Sequence, residues 1–308
     1  MSLNWGLSRK RAALVARARI IGEIRRIFNE EGYLEMETPL RIPAPAPESH
    51  IDALPSAEWF LHTSPELCMK RLVAAGFERI YQICHCWRGG ERGRLHLPEF
   101  TMLEWYRTGA DCYALMDECE ALVVSVAALL GHTVNLTYGG REISLQAPWE
   151  RITVAEAFEQ FSRYSLADAL ERDIFDELMV EEIEPHLGIA CPVFIHDYPA
   201  CRGALARLRQ DDPTVAERFE LYMGGLELAN AFTELTDPVE QRLRFIHEQE
   251  KRTSLGKTVY PMPERFLVEL QNMPQSAGIA LGLDRLVMVL LDIPSIDEVV
   301  AFTPEELA

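Results

Sequence analysis

The stretch RIYQICHCWRGGERGRLHLPEFTMLEWYR, residues 79–107, reads as two strands joined by a long loop. Arg79 to Trp87 and Glu99 to Arg107 are rich in β-branched and aromatic residues. Arg88, Gly89, Gly90, Glu91, Arg92, Gly93 and Arg94 between them suit a hairpin connection. A strand's period of two puts Phe100, Met102, Glu104 and Tyr106 on one face. A carboxylate and a phenol beside an aromatic ring make an odd core.

Upstream of the hairpin, Leu14, Ala18, Ile21, Ile24 and Phe28 form a 3.6-residue stripe ending at Gly32, which predicts a helix over Lys10 to Glu31. Tyr33 to Leu40 reads as extended, and Pro43, Pro45 and Pro47 stiffen the loop that follows. Ser64 is a good N-cap, with Pro65 at the first helical position, Glu66 complementing the helix dipole and Gly76 closing a helix over Leu67 to Ala75. Downstream, helix is expected over Asp111 to Leu130 and over most of Thr153 to Glu184, with a short strand at Gly139 to Ser144. A strand at Pro192 to Asp197, a helix at Pro213 to Met223 and a strand at Glu227 to Leu235 come next. Helices at Pro238 to Arg252 and Pro263 to Asn272, a strand at Gly278 to Gly282 and a helix at Asp284 to Leu291 complete the pattern. No low-complexity linker divides it, so one α+β domain with an antiparallel sheet is expected over residues 1–308.

Composition narrows the function. Of 308 residues 48% are apolar and 25% charged, an ordinary globular balance without repeat or disorder signatures. The longest apolar stretch, Ala121 to Leu130, is about half of what a bilayer-spanning helix needs. Met1, Ser2, Leu3 and Asn4 begin no export signal, so a cytoplasmic protein without membrane contact is expected. Thirty Lys+Arg against 48 Asp+Glu give a net charge of −18, which repels nucleic acid phosphates. The basic cluster Arg9, Lys10, Arg11, Arg17, Arg19, Arg25 and Arg26 reads as the solvated face of the first helix. Seven scattered cysteines fit reduced thiols. Cys84, His85, Cys86 and His96 match no structural zinc spacing, and C-x-C within a strand reads as packing.

Three segments look unlike scaffold. Arg88, Arg94, His96 and Phe100 combine guanidinium groups with an aromatic ring, which suits polyphosphate and a purine, although a solvated hairpin tip has the same composition. Glu220, Glu227, Asn230 and Glu234 set carboxylates and an amide among apolar residues. Such oxygens suit magnesium or an ammonium. Alternation aligns Asn230, Phe232 and Glu234 but puts Glu227 on the other parity, so a bulge or a ligand at the strand's start is required. Gly278, Gly282, Asp284 and Arg285 run from a strand into a helix whose N-terminus favours anions, a spacing that also serves close packing.

In that order the segments resemble the class II aminoacyl-tRNA synthetase catalytic fold, an antiparallel β-sheet flanked by helices. Gly32 to Pro39 resembles the first signature of that class, Tyr81 to Tyr106 the second, and Ala280-Leu281-Gly282-Leu283-Asp284-Arg285 the third. Thr63-Ser64-Pro65-Glu66, Met69-Lys70-Arg71-Leu72 and Gly76-Phe77-Glu78-Arg79 are similar to the lysine-specific branch. Ala216 to Glu220, Gly225 to Asn230 and Glu234 to Asp237 are similar to its truncated paralogues, the elongation factor P lysine ligases. The likeness runs from about Arg11 to Phe302. The chain leaves no room for the anticodon-binding domain of a lysyl-tRNA synthetase, which makes tRNA an unexpected acceptor.

The resemblance implies ATP-dependent formation of an aminoacyl-adenylate from lysine or (R)-β-lysine. Transfer to a lysine side chain of elongation factor P, by a homodimer, would follow. Aminoacylation of tRNA or another small acceptor, or a silent ligand-binding paralogue, are the competing implications. In the leading one Arg88 contacts the α-phosphate, Arg94 and His96 the outer phosphates, and Arg285 the γ-phosphate. Phe100 stacks on adenine, Gly90, Leu97, Leu228 and Gly282 complete the nucleotide subsite, and Glu220 and Glu227 hold Mg2+. Ser64, Pro65, Glu66, Glu104, Tyr106, Asn230 and Glu234 surround the amino acid, with Tyr106 and Glu234 on its distal ammonium. Ala280 stands where synthetases carry glycine, and its methyl is expected to favour the β-amino acid. Two positions depart from the family: Arg88 is followed by Gly89 and Gly90 rather than Asn-Glu, leaving Glu91 to reach adenine by a shifted loop, and Leu97 replaces an asparagine.

Overall fold

The computed structural model describes residues 5–203 and 205–308. Met1 to Asn4, where no export signal is read, lie outside the described residues. Helix α1 (Trp5–Glu30) leads through Gly32, in the left-handed region, to the short strand β1 (Leu34–Glu35). Strands β2 (Arg41–Ile42), β3 (Pro55–Ser56) and β4 (Trp59–Leu61) form a small separate sheet ahead of helix α2 (Glu66–Ala74). The long hairpin is β5 (Arg79–Trp87) and β6 (Glu99–Thr108), followed by α3 (Cys112–Leu129). A small hairpin of β7 (Asn135–Tyr138) and β8 (Arg141–Ser144) precedes β9 (Glu150–Thr153) and the short helices α4 (Val154–Phe161), α5 (Leu166–Glu171) and α6 (Phe175–Leu178). Strands β10 (Val193–Pro199), β11 (Val215–Met223) and β12 (Leu226–Thr233) then lead to α7 (Pro238–Ser254) and α8 (Glu264–Leu270). The last elements are β13 (Ser276–Gly282), α9 (Leu283–Leu290) and α10 (Pro304–Leu307).

Eight strands make the main sheet in the order β1-β5-β6-β13-β12-β11-β10-β9, antiparallel except for the parallel edge pairs β1–β5 and β9–β10. Alternation divides its faces. Leu103 and Trp105 on β6, Ala277, Ile279 and Leu281 on β13, and Ala229 and Ala231 on β12 enter one large core beneath α1, α3 and α9. The apolar stretch Ala121 to Leu130 falls in α3, where Leu122, Val123, Val126 and Ala127 are buried in that core. Phe28 of α1 stacks on Tyr81 at 4.6 Å and meets Trp105 edge-on at 5.3 Å. The other parity of the same strands is left for a site.

One expected helix is a strand. Pro213 and the helix-forming Ala216-Glu217-Arg218 suggest a helix start, yet residues 215–223 pair with both β10 and β12 and are buried almost throughout. Tertiary pairing overrides local propensity where a segment has partners on both sides. The arginine-rich face of α1 is corrected at two positions: Lys10 is half-buried and pairs with Glu306 at 2.6 Å, and Arg17 is tied into the protein. Arg17 is half-buried, donating to Asp284 Oδ1 at 2.5 Å and to Thr101 Oγ1 at 2.7 Å, while Asp284 Oδ2 accepts from the Thr101 amide at 2.8 Å. This buried carboxylate ties α1, β6 and α9 together. Among the described residues no helix is long and apolar enough to cross a membrane.

Asp284→Ala should lower unfolding free energy by about 3 kcal/mol, because it strands the Arg17 guanidinium and the Thr101 amide. Urea denaturation of the two proteins measures it.

Candidate active site

The free face of β6, β12 and β13 opens on a cavity of about 310 Å3, within the range of small-ligand sites. A bulge shapes one wall. Leu221 of β11 pairs with Ala229 but Tyr222 pairs with Glu227, so Leu228 is the extra residue and Glu227 returns to the same face as Asn230. The parity conflict read from the sequence is resolved there.

One end of the cavity is cationic. Arg88 lies over the Phe100 ring at 5.1 Å, and its buried Nε has no hydrogen-bond partner among the described residues. Arg285, in the first turn of α9, donates to the Glu227 carbonyl at 2.8 Å and to His96 Nε2 at 2.6 Å. Burial, with Arg285 beside it, holds His96 below the usual imidazole range, so the ring accepts that bond uncharged. Leu97, Leu228 and Gly282 line the cavity, and so does Glu91. Gly90 allows the loop to carry Glu91 there: its φ is +79°, a conformation costly for other residues.

The other end is acidic. Ser64 donates to Glu104 Oε1 at 2.6 Å and accepts from the Glu66 amide at 3.0 Å, and Tyr106 donates to Glu104 Oε2 at 2.9 Å. Burial, with Glu66 nearby, pushes the Glu104 carboxyl up to about 8. Lys70, fully buried on α2, reaches Glu66 and Glu234 at 2.5 Å each. Burial still pushes Glu234 up to about 7 against the pull of Lys70. The glycine at 278 is required by closeness: a Cβ there would stand 2.3 Å from both Glu234 Oε1 and Tyr106 Cε1. Ala280 sits between Asn230 and Glu104 across the two ladders, with its methyl in the cavity wall.

Four expected residues are placed otherwise. Arg94 occupies the outer corner of the tight turn between Gly93 and His96, and its guanidinium donates to the Pro294 carbonyl instead of entering the cavity. Pro65 is the N-cap of α2, the position expected of Ser64, and its carbonyl accepts from the amides of Cys68 and Met69. Gly90 bends the loop without lining the cavity. Glu220 lies behind the wall, where its carboxylate accepts from Arg218 at 2.5 Å, Tyr198 at 2.6 Å and Tyr222 at 2.9 Å. Glu234 shares the single charge of Lys70 with Glu66, whereas Glu104 has no ion pair among the described residues. Lys70 was quoted in a motif but given no role in the site, although Glu66 at i and Lys70 at i+4 on one helix was the available signal. Glu48, which lines the cavity and is pushed up to about 7 by burial and Glu66, had no signal beyond a charge in a proline-rich loop.

The donor set suits a hard divalent ion at Glu227. Burial and the proximity of Glu220 push the Glu227 carboxyl up to about 7, so two desolvated acids repel there and a cation would relieve them.

Comparison with known proteins adds the lineage. Residues 3–306 match the family described as tRNA synthetases class II (D, K and N). The chain belongs to this family. As a class II synthetase it is 39% identical over 316 residues to the elongation factor P (R)-β-lysine ligase of Proteus mirabilis, covering 97% of each chain. The proteins of that name from Vibrio cholerae and Klebsiella pneumoniae are each 38% identical over 317 residues, again with 97% of both chains covered. In this synthetase the first resembling segment runs from the end of α1 through β1, the second is the β5–β6 hairpin, and the third is the passage from β13 into α9.

The raised carboxyl groups make a pH prediction. A carboxyl whose folded pKa exceeds its unfolded value binds more protons in the folded state, so its contribution to stability is complete at acidic pH and is lost as pH rises through the folded value. Urea midpoints of the ligand-free protein should therefore fall as pH rises from about 4.5 to about 8, and the fall should be smaller in Glu104→Gln.

Proposed function

We propose that the chain activates (R)-β-lysine with ATP and transfers it to a lysine side chain of elongation factor P, as a cytoplasmic homodimer. One observation carries this reading: a single cavity has arginines at one end, Arg88 with a buried donor unused, and a cluster of carboxylates at the other, in a chain matching ligases of that name almost end to end. In the first step the substrate carboxylate attacks the α-phosphorus of ATP and pyrophosphate leaves. Arg88 faces the α-phosphate, with its unpartnered Nε available as donor, while Arg285 and neutral His96 hold the outer phosphates. Phe100 stacks under the base. Glu227, with Glu220 behind it, would hold magnesium, whose charge offsets that of the phosphates.

At the acidic end Glu104 meets the distal ammonium together with Tyr106, and the incoming cation brings Glu104 back to its ionised form. Lys70 holds Glu66 and Glu234 at fixed positions around the substrate. In the second step the acceptor amine attacks the acyl carbon, AMP leaves, and the adenylate phosphate takes the amine's proton. Alignment and charge do this work without an enzymic nucleophile. Ala280 fills space beside Glu104 and Asn230, which narrows room at the α-carbon.

Pyrophosphate exchange tests the reading. Exchange should depend on (R)-β-lysine and exceed that with α-lysine, and label should then appear on purified elongation factor P but not on bulk tRNA. Absence of exchange with either amino acid overturns it. Arg88→Ala and Arg285→Ala should each lower the exchange rate by about 100-fold or more. Ala280→Gly should shift the ratio of the two substrates toward α-lysine.

A further inference from the structure

The thiols of β5 take no part in this chemistry. Cys84 and Cys86 alternate onto one face of the strand, where they form a small cluster with Met102, against which Phe100 and Ala280 pack. His62, one residue beyond β4, closes over them, and its ring nitrogen and the two sulfurs lie within 4.8 Å of one another. His62 is 1% exposed and Cys86 0%. The imidazoles nearer in sequence go elsewhere: His85 lies on the opposite face against Glu99 at 2.7 Å, and His96 against Arg285. Neighbouring spacing along the chain therefore hid the set, because its third member comes from the segment after β4, more than twenty residues upstream.

The histidine is also oriented. Its Nε2 lies 2.7 Å from the His85 carbonyl oxygen, which can only accept, so Nε2 carries the proton and Nδ1 keeps a lone pair. A ligating imidazole is held in this way, with its second nitrogen bonded to a backbone carbonyl.

We propose that His62, Cys84 and Cys86 form a binding site for a zinc-class d10 cation, separate from the magnesium site at Glu227. Two thiolates balance a divalent charge and a neutral imidazole completes three ligands, a set that selects zinc over the hard ions bound by carboxylates. The thioether of Met102, opposite Cys84 across the β5–β6 ladder, adds a soft neighbour. Binding expels the two thiol protons. The consequence lies in the active site: the Trp87 amide donates to the His62 carbonyl at 3.0 Å, and Arg88 follows directly. An ion joining His62 to Cys84 and Cys86 would brace the end of β5 that delivers Arg88.

Chelator-stripped full-length protein titrated with Co(II) tests this site. One equivalent should bind with thiolate-to-cobalt charge-transfer absorption, displaced by Zn(II), and Zn(II) should raise the melting temperature. The absorption should vanish in the Cys84→Ser, Cys86→Ser double variant, and affinity should fall by at least about tenfold in His62→Asn. It should persist in Cys112→Ser and in Glu227→Gln, which separates this site from other thiols and from the magnesium site. Alkylation of the wild-type protein needs no variant: Zn(II) should shield Cys84 and Cys86 but leave exposed Cys201 reactive. Absence of the absorption, its survival in the double variant, or unshielded Cys84 and Cys86 would overturn the proposal.

Discussion

Across β5, β6, β13 and β12 the period of two sends alternate side chains to opposite faces, and the cavity exists because that register is held over all four strands. Odd-numbered residues of β6 and β13 fill the core, and even-numbered ones face the ligand space. A slip of one residue would bury Glu104 under α3 and expose Trp105. The Leu228 bulge is the single departure, and it brings a carboxylate into place that strict alternation would bury. Arg17, Asp284 and Thr101 hold the same register from outside the sheet by tying a helix at each end of the chain to β6.

Charge inside the cavity is arranged in two ways. Two of the carboxylates, Glu66 and Glu234, share a cation of the protein, Lys70. Where a group is left for a ligand it is stored without one. Glu104 waits as a hydrogen-bonded acid whose pKa burial has raised, and Arg88 waits with a buried donor unused. A desolvated group of this kind favours whatever neutralises it, which is why the two ends of the cavity select opposite ends of a reaction: phosphate at one, ammonium at the other.

Local pattern made much of this legible. Periodicity placed α1, α3 and both strands of the hairpin within a residue or a few, and the order of motifs pointed to the class II fold. The hairpin's alternation gave the cavity-facing set Phe100, Met102, Glu104 and Tyr106 directly. Residues 213–223 were misread because Pro213 and helix-forming residues are local signals, whereas a central strand is decided by its neighbours. Arg94 and Glu220 were assigned to the site by their place in a motif. The turn geometry of one and the hydrogen bonds of the other keep them out of the cavity wall.

The amino-acid sequence by itself determined the elements, the two faces of each strand and the sorting of charge into a basic loop and an acidic strand, because these depend on residues a few positions apart. Only the tertiary structure decided which charges are spent and which are free. Lys70 meets Glu234 across 164 residues, and His62 meets Cys84 and Cys86 from the segment that follows β4. Such encounters are fixed by strand order and burial, and both arise when distant segments share one core.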